Sequence, residues 1–119
     1  MTVRELIYNM MYKKSYNEIA SSVINKFGIN IDVLNELKMF PNISRALAIE
    51  VFYLYNKLND NEKNVIIDYS KNNQIFADAL GECINSHGNI KDFYEIIAKN
   101  KCIRSKIDNI DSIYYNKDQ

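Results

Sequence analysis

The longest apolar run in the chain predicts a buried helix. Residues 46–55 read Ala-Leu-Ala-Ile-Glu-Val-Phe-Tyr-Leu-Tyr, with Glu50 as the one charge among them. The apolar pattern continues to Leu58 at helical spacing, which favours a helix over a strand. A helix with almost no polar face has to be surrounded by other elements. We therefore predict a central helix over about 44–58, buried inside the protein.

The rest of the chain divides into short amphipathic helices. Ser, Thr and Asn stand at the starts of the periodic segments, where their side chains can cap a helix, and the loops between segments are short. Together with the central helix, the predicted helices cover residues 2–13, 15–27, 31–40, 61–71, 74–86, from 89 through 97, and 101–115, and residues 116–119 should fray.

Several helix ends have specific signals. Thr2 and Ser15 are each followed three residues later by Glu, which is the spacing of a capping box. Gly28 is a natural end for the second helix. Pro41 is predicted to end the third helix, because the residue before a proline disfavours helical backbone. The central helix would then open at Asn42 or Ser44.

Composition supports one all-α domain over residues 1–119. The chain has three Gly and one Pro, so it has little material for the turns of hairpins and barrels. Its length is near the commonest domain size and allows it to bury roughly two-thirds of its unfolded surface. We predict a compact bundle of seven or eight short helices.

The amino-acid usage points to an AT-rich gene and a cytoplasmic protein. Asn, Ile, Lys and Tyr have AT-rich codons and are abundant, which is typical of low-GC bacteria, their phages and large DNA viruses. The N-terminus has no apolar segment of a secretory signal. No run approaches the roughly 20 apolar residues of a membrane span, so we expect no membrane partner.

Candidate catalytic and metal-binding residues are few. Cys83 and Cys102 are the only cysteines and His87 is the only histidine, which is too few ligands for a zinc site. The cysteines are expected to be small apolar fillers, with a disulfide as the lesser alternative. Glu50 could be a carboxylate with a raised pKa or a rim residue paired with Arg45. Because no nucleophile elbow, P-loop or metalloprotease motif is present, we expect no enzyme and no cofactor.

Residues 15–38 carry a partial resemblance to a known motif. Tyr16-Asn17-Glu18-Ile19-Ala20 opens one helix, and Phe27-Gly28-Ile29 precedes the next. This segment resembles the helix-turn-helix of bacterial and phage regulators, in which a small residue lies where the helices cross and the turn tolerates positive φ. The resemblance implies DNA binding, with base contacts from Asn35 and Lys38 and phosphate contacts from Lys13, Lys14 and Lys26.

The alternative for this segment is a helical hairpin packed within the bundle. The would-be recognition helix carries Asp32 and Glu36 against one cation, Lys38, whereas phosphates and guanine edges are read mainly by Arg and Lys. The chain also has no excess of basic residues, since its formal net charge is zero.

A basic run near the C-terminal end offers a second candidate surface. Lys99, Lys101, Arg104 and Lys106 occur with no acidic residue among them. Such a run can contact nucleic acid or an acidic protein. The alternative is a solvated helix face balanced by nearby Asp108 and Asp111.

Tyrosine is abundant, with nine residues, and suits an interface. Tyr53, Tyr55, Tyr114 and Tyr115 are the ones singled out, and the last two, near a polar terminus, are the best candidates for exposure. The alternative is that a tyrosine replaces phenylalanine at the edge of the core.

These observations favour a small non-enzymatic regulatory or inhibitory protein that binds a larger protein or nucleoprotein, of phage, viral or mobile-element origin. The alternative is a helix-turn-helix DNA-binding regulator. A protein-directed inhibitor should show an exposed Tyr/Ile patch, and a DNA binder a continuous positive surface. A homodimer through the last helix, along Ile103, Ile107, Ile110 and Tyr114, is a third option.

Overall fold

The central helix lies between the two helices that contact it most. In the computed structural model, which describes residues 1–108, helix α4 (Pro41–Leu54) packs against α2 (Tyr16–Phe27) and α6 (Gln74–His87). Leu47 and Val51 are fully buried along it. The prediction of a buried central helix is confirmed.

The remaining helices close the bundle around these three. They are α1 (Val3–Met10), α3 (Ile31–Leu37), α5 (Asp60–Lys71), α7 (Tyr94–Lys99) and α8 (Lys101–Arg104), with 3-10 turns at Tyr55–Lys57 and Ile90–Phe93. Residues 1–108 therefore contain eight α-helices and no strand. One continuous apolar core joins them, which confirms the all-α fold class.

Most helix starts follow the local signals. The Thr2 and Ser15 hydroxyl oxygens accept hydrogen bonds from the backbone N–H three residues on, at 3.1 and 3.2 Å. Gly28 ends α2 with a φ of 80°, the conformation that glycine adopts most readily. The full reciprocal capping box forms elsewhere, between Asn59 and Glu62 at the start of α5.

The prediction that Pro41 ends the third helix is wrong. α3 already ends at Leu37, and Pro41 is the first residue of α4. Proline is tolerated at this position because its missing N–H would have no helical partner there. Ser44 does not cap α4 either. Its hydroxyl donates to the Leu37 carbonyl at 2.8 Å and ties α4 to the end of α3.

The predicted last helix is shorter than its apolar pattern indicates. The α-helix ends at Arg104, and turns follow through Asp108. Here the chain is held onto α6, because the side-chain oxygen of Asn85 accepts a hydrogen bond from the Asp108 backbone N–H at 2.8 Å. This tertiary contact competes with continuing the helix. The rest of the predicted helix lies outside the described residues.

Candidate binding surface

A cluster of tyrosine and methionine side chains is exposed on the N-terminal half of the molecule. Tyr12 is 95% exposed, Met39 is 62% and Tyr8 is 58%. The Tyr8 ring meets Phe40 edge-on, with centroids 5.9 Å apart. We call this cluster the Tyr–Met surface and define it as residues Tyr8, Met11, Tyr12, Tyr16, Met39 and Phe40.

Two chain segments, residues 8–16 and 39–40, assemble the Tyr–Met surface. The end of α1 supplies Tyr8, and the turn after it supplies Tyr12. The start of α2 supplies Tyr16, and the turn between α3 and α4 supplies Met39 and Phe40. Each segment is fixed to ordered helices, so the exposed side chains project from a formed backbone.

Contacts from α3 and α1 hold the α3–α4 turn in place. The Phe40 backbone N–H donates to the Leu37 carbonyl at 3.0 Å. Arg4 donates to a Glu36 carboxylate oxygen at 2.7 Å, and a second Arg4 nitrogen lies 2.8 Å from the Met39 sulfur. Arg4 thereby joins α1 to the end of α3. The turn that carries Met39 is therefore held by contacts with both α1 and α3.

A small pocket opens at the centre of this surface. It has a volume of about 150 Å³ and is lined by Met11, Tyr16, Met39, Phe40, Pro41, Asn42 and Ile43. Small-molecule sites usually measure about 300–1,000 Å³. This pocket is smaller, so it is suited to a single inserted side chain.

Positive charges predominate beside the Tyr–Met surface, because the nearby Glu36 carboxylate is paired with Arg4. Residues 8–17 and 38–43 contain Lys13, Lys14 and Lys38 and no acidic residue. Lys14 lies 3.7 Å from a Glu18 carboxylate oxygen. Lys13 and Lys38 are exposed and form no ion pair with any residue from 1 to 108. The surface is therefore apolar at its centre and cationic at its edge.

The basic run near the C-terminal end is partly neutralised. Lys99 pairs with Glu95 at 2.9 Å, and Lys106 lies 3.8 Å from an Asp78 carboxylate oxygen. Lys101 is exposed and Arg104 is half-buried, and neither forms an ion pair with another described residue. Only two of the four cations, Lys101 and Arg104, are therefore not offset by a carboxylate of another described residue.

The structure also separates the residues singled out for DNA binding. Lys13 and Lys14 precede α2, whereas Lys26 lies in its last turn, roughly 15 Å away along the helix axis. Asn35 is exposed on α3, and Lys38 follows the end of that helix. Lys13, Lys14 and Lys38 therefore lie beside the Tyr–Met surface, whereas Lys26 lies at the other end of α2.

The tyrosines chosen from the sequence fall in different environments. Tyr53 is exposed on α4, whereas Tyr55 is buried beneath Phe93, with ring centroids 5.2 Å apart. Tyr114 and Tyr115 lie outside the described residues. Sequence reasoning missed the Tyr–Met surface, although tyrosines at positions 8, 12 and 16 recur every four residues and could have indicated it.

The potential catalytic residues are divided among three helices, with Glu50 on α4, Cys83 and His87 on α6 and Cys102 on α8. Glu50 is half-buried at the rim of α4, in an open polar groove of about 400 Å³ that Lys14 and Glu18 also line. His87 is exposed at the end of α6. Both cysteines are free thiols, and burial raises the pKa of Cys83.

Two further absences hold within residues 1–108. No cluster of three or more His, Cys, Asp or Glu side chains could hold a metal ion. None of the helices is both long enough and apolar enough to span a bilayer.

Comparisons with protein-family models, curated proteins and solved structures give no match for this chain.

Proposed function

We propose that this chain is a small non-enzymatic regulatory or inhibitory protein that binds a larger protein through the Tyr–Met surface. The observation that carries the proposal is the pocket between exposed Tyr16 and Met39, with Tyr8 packed on its Phe40 rim and exposed Tyr12 next to Met11 in the chain. Tyrosine and methionine are enriched at protein interfaces, because they offer large contact areas. Exposed apolar clusters on a small soluble domain mark binding sites more often than isolated apolar residues do.

The charge distribution favours a protein target over duplex DNA. A DNA-binding face needs several cations that can reach phosphates together. Here Lys13 and Lys26 lie at opposite ends of α2, and Asp32 is exposed on α3 and forms no ion pair with a described residue. A recognition helix with this carboxylate would face repulsion from the phosphate backbone.

Site-specific photo-crosslinking tests the proposal. A benzophenone amino acid replaces Tyr12 in one sample and Tyr53 in another, and each is irradiated in lysate of the source cell or its host. Tyr53 is the matched control, because it is 70% exposed and lies roughly 18 Å along α4 from Pro41. We expect a discrete protein adduct from position 12 that is absent from position 53.

Substitution of Met39, which lies on the Tyr–Met surface, provides a second control for the crosslinking experiment. Met39→Ser should abolish the adduct formed at position 12, because hot-spot residues typically contribute about 2 kcal/mol or more. Equal adducts from both positions, or an adduct unaffected by Met39→Ser, would contradict the proposal.

Fluorescence anisotropy with random-sequence duplex DNA tests the alternative, in which the chain is a helix-turn-helix DNA-binding regulator. We expect no binding even at low salt. Affinity that falls steeply with salt concentration and depends on Lys13, Lys14 and Lys26 would favour the DNA-binding regulator instead.

A further inference from the structure

We propose that the occupant of the Tyr–Met surface is an amphipathic helix of the partner, with acidic side chains beside its apolar stripe. This inference rests on the proposed function, since it specifies the partner for the same surface. It follows from three features: the size of the pocket, the lack of a sheet edge among residues 1–108 and the sign of the edge charges.

The pocket fits one apolar anchor. Its volume of about 150 Å³ suits a single leucine-sized or phenylalanine-sized side chain, and Met11, Met39 and Ile43 give it an apolar lining. Partner residues that fill such pockets dominate binding at interfaces. Methionine side chains adapt to the shape of the inserted group. The centre of the surface therefore recognises an apolar side chain.

The surroundings of the pocket favour a helical partner. Tyr8 lies in α1 and Tyr12 lies in the turn that follows it, so both exposed rings are carried by the end of a helix. An amphipathic helix presents its apolar anchors on one face, which suits a compact apolar surface with one central pocket. No strand exists among residues 1–108, so this region offers no sheet edge that could pair with an extended peptide.

The edge charges select for acidic groups on that helix. Lys13 is adjacent to Tyr12, Lys38 is adjacent to Met39, and neither is neutralised by a described residue. Carboxylates beside the apolar stripe of the partner would meet these ammonium groups. Such complementarity speeds association and excludes basic partners.

Selection from a displayed library of helical peptides tests the inference. The library carries randomised residues on one helix face and at the edges of that face, and the full chain is the immobilised target. We expect selected peptides with apolar residues at i, i+3 or i+4 and i+7 and with Asp or Glu at the edges. Tyr12→Ser with Met39→Ser should weaken their binding at least tenfold in fluorescence anisotropy, whereas Tyr53→Ser should leave it unchanged.

A second set of variants tests how much Lys13 and Lys38 contribute to peptide binding. Lys13→Glu with Lys38→Glu should weaken a selected peptide by about tenfold at low salt and by less at high salt, because salt screens exposed charges. Lys91→Glu is the control. Lys91 is exposed in the 3-10 turn whose Phe93 stacks on Phe52, toward the opposite end of α4.

The outcomes separate the inference from the proposed function. Acidic peptides that depend on the Tyr–Met surface support both. Basic or uncharged peptides that depend on the same surface overturn the acidic-helix inference and leave the protein-binding function in place. Two results would overturn both the inference and the proposed function. In the first, no selected peptide depends on the Tyr–Met surface, and in the second, single-stranded oligo-dT binds there in preference to every peptide.

Discussion

Two buried tyrosines differ in the hydrogen bonds of their hydroxyl groups. Tyr55 and Tyr69 are each 1% exposed. The Tyr69 hydroxyl accepts a hydrogen bond from the Asn73 amide at 2.8 Å. The Tyr55 hydroxyl has no hydrogen-bond partner among the described residues. A buried polar group without a partner costs roughly 1–3 kcal/mol, so at Tyr55 the ring stabilises the fold while the hydroxyl opposes it.

Tyr55→Phe should therefore stabilise the protein. We expect the free energy of unfolding to rise by about 1 kcal/mol, since the ring contacts with Phe93 remain and the unpaired hydroxyl is removed. Tyr69→Phe is the matched comparison and should lower it by about 1 kcal/mol, because the Asn73 amide loses its acceptor. Urea denaturation measures both. Changes of the same sign in the two variants would contradict this account.

The same hydroxyl makes stability depend on alkaline pH. Burial, with a smaller contribution from the negative charge of Glu95, raises the pKa of Tyr55 to about 12. The folded state therefore holds this proton more tightly than the unfolded state does. The part of the free energy of unfolding that depends on a neutral Tyr55 is fully present below about pH 10. It is lost as the pH rises through about 12.

Between pH 9 and about pH 11.5 this tyrosine should lower the free energy of unfolding by about 2 kcal/mol. Urea denaturation of the wild type and of Tyr55→Phe across this range checks the prediction. The decline with pH should be shallower in the variant. Parallel curves would mean that Tyr55 ionises alike in the folded and unfolded states.

At the scale of elements, the close approach of α6 to the segment after α8 depends on Gly81. A Cβ atom at this position would lie 2.8 Å from the Lys106 Cβ and 3.2 Å from the Ile103 carbonyl oxygen. Real side chains do not come this close, so a larger residue would push the two segments apart. Ile103 is fully buried, and the separation would disturb the core around it.

Gly81→Ala should destabilise the protein although alanine is the better helix former. Alanine gains about 1 kcal/mol of helix propensity, whereas overpacking costs typically 1–3 kcal/mol, so we expect a net loss of about 1 kcal/mol. Ser86→Ala is the control for propensity, because Ser86 is exposed on the same helix and should gain a few tenths of a kcal/mol. Thermal denaturation compares them. A rise in melting temperature for Gly81→Ala would show that α6 and the segment after α8 can move apart without loss of stability.

Helix boundaries with a local signal were predictable, and those set by distant contacts were not. The N-terminal caps at Thr2 and Ser15 and the C-terminal Gly28 depend on the chain within a few residues, so the sequence sufficed. Pro41 was ambiguous, because a proline both stops one helix and suits the first position of the next. The end of α8 could not be predicted, since Asn85, more than twenty residues earlier, holds Asp108.

At the scale of the whole molecule, the Tyr–Met surface exists only after folding. Its segments are separated by about twenty residues in the chain and are brought together by the packing of α1, α2 and α4. Periodicity identifies the buried face of each helix, but it does not show which exposed residues of different helices become neighbours. The fold class was therefore predictable from the sequence. The repeat of tyrosines at positions 8, 12 and 16 was visible as well, but their proximity to Met39 and Phe40 was not.

The charges beside the Tyr–Met surface also predict the oligomeric state. A two-fold symmetric dimer through this surface would bring the Lys13 and Lys38 cations of both copies into one interface, and like charges gathered in this way are unfavourable. A dimer through the last helix is opposed by the burial of Ile103 and Ile107, which are part of the core, whereas Ile110 and Tyr114 lie outside the described residues.

We therefore expect the protein to sediment as a monomer of 13.9 kDa at low salt, when charge repulsion is strongest. Sedimentation velocity at several protein concentrations measures this. The control is the variant with Tyr12→Ser and Met39→Ser, whose sedimentation should be unchanged. A wild-type dimer that this variant converts to a monomer would identify a second copy of the chain as the occupant of the Tyr–Met surface.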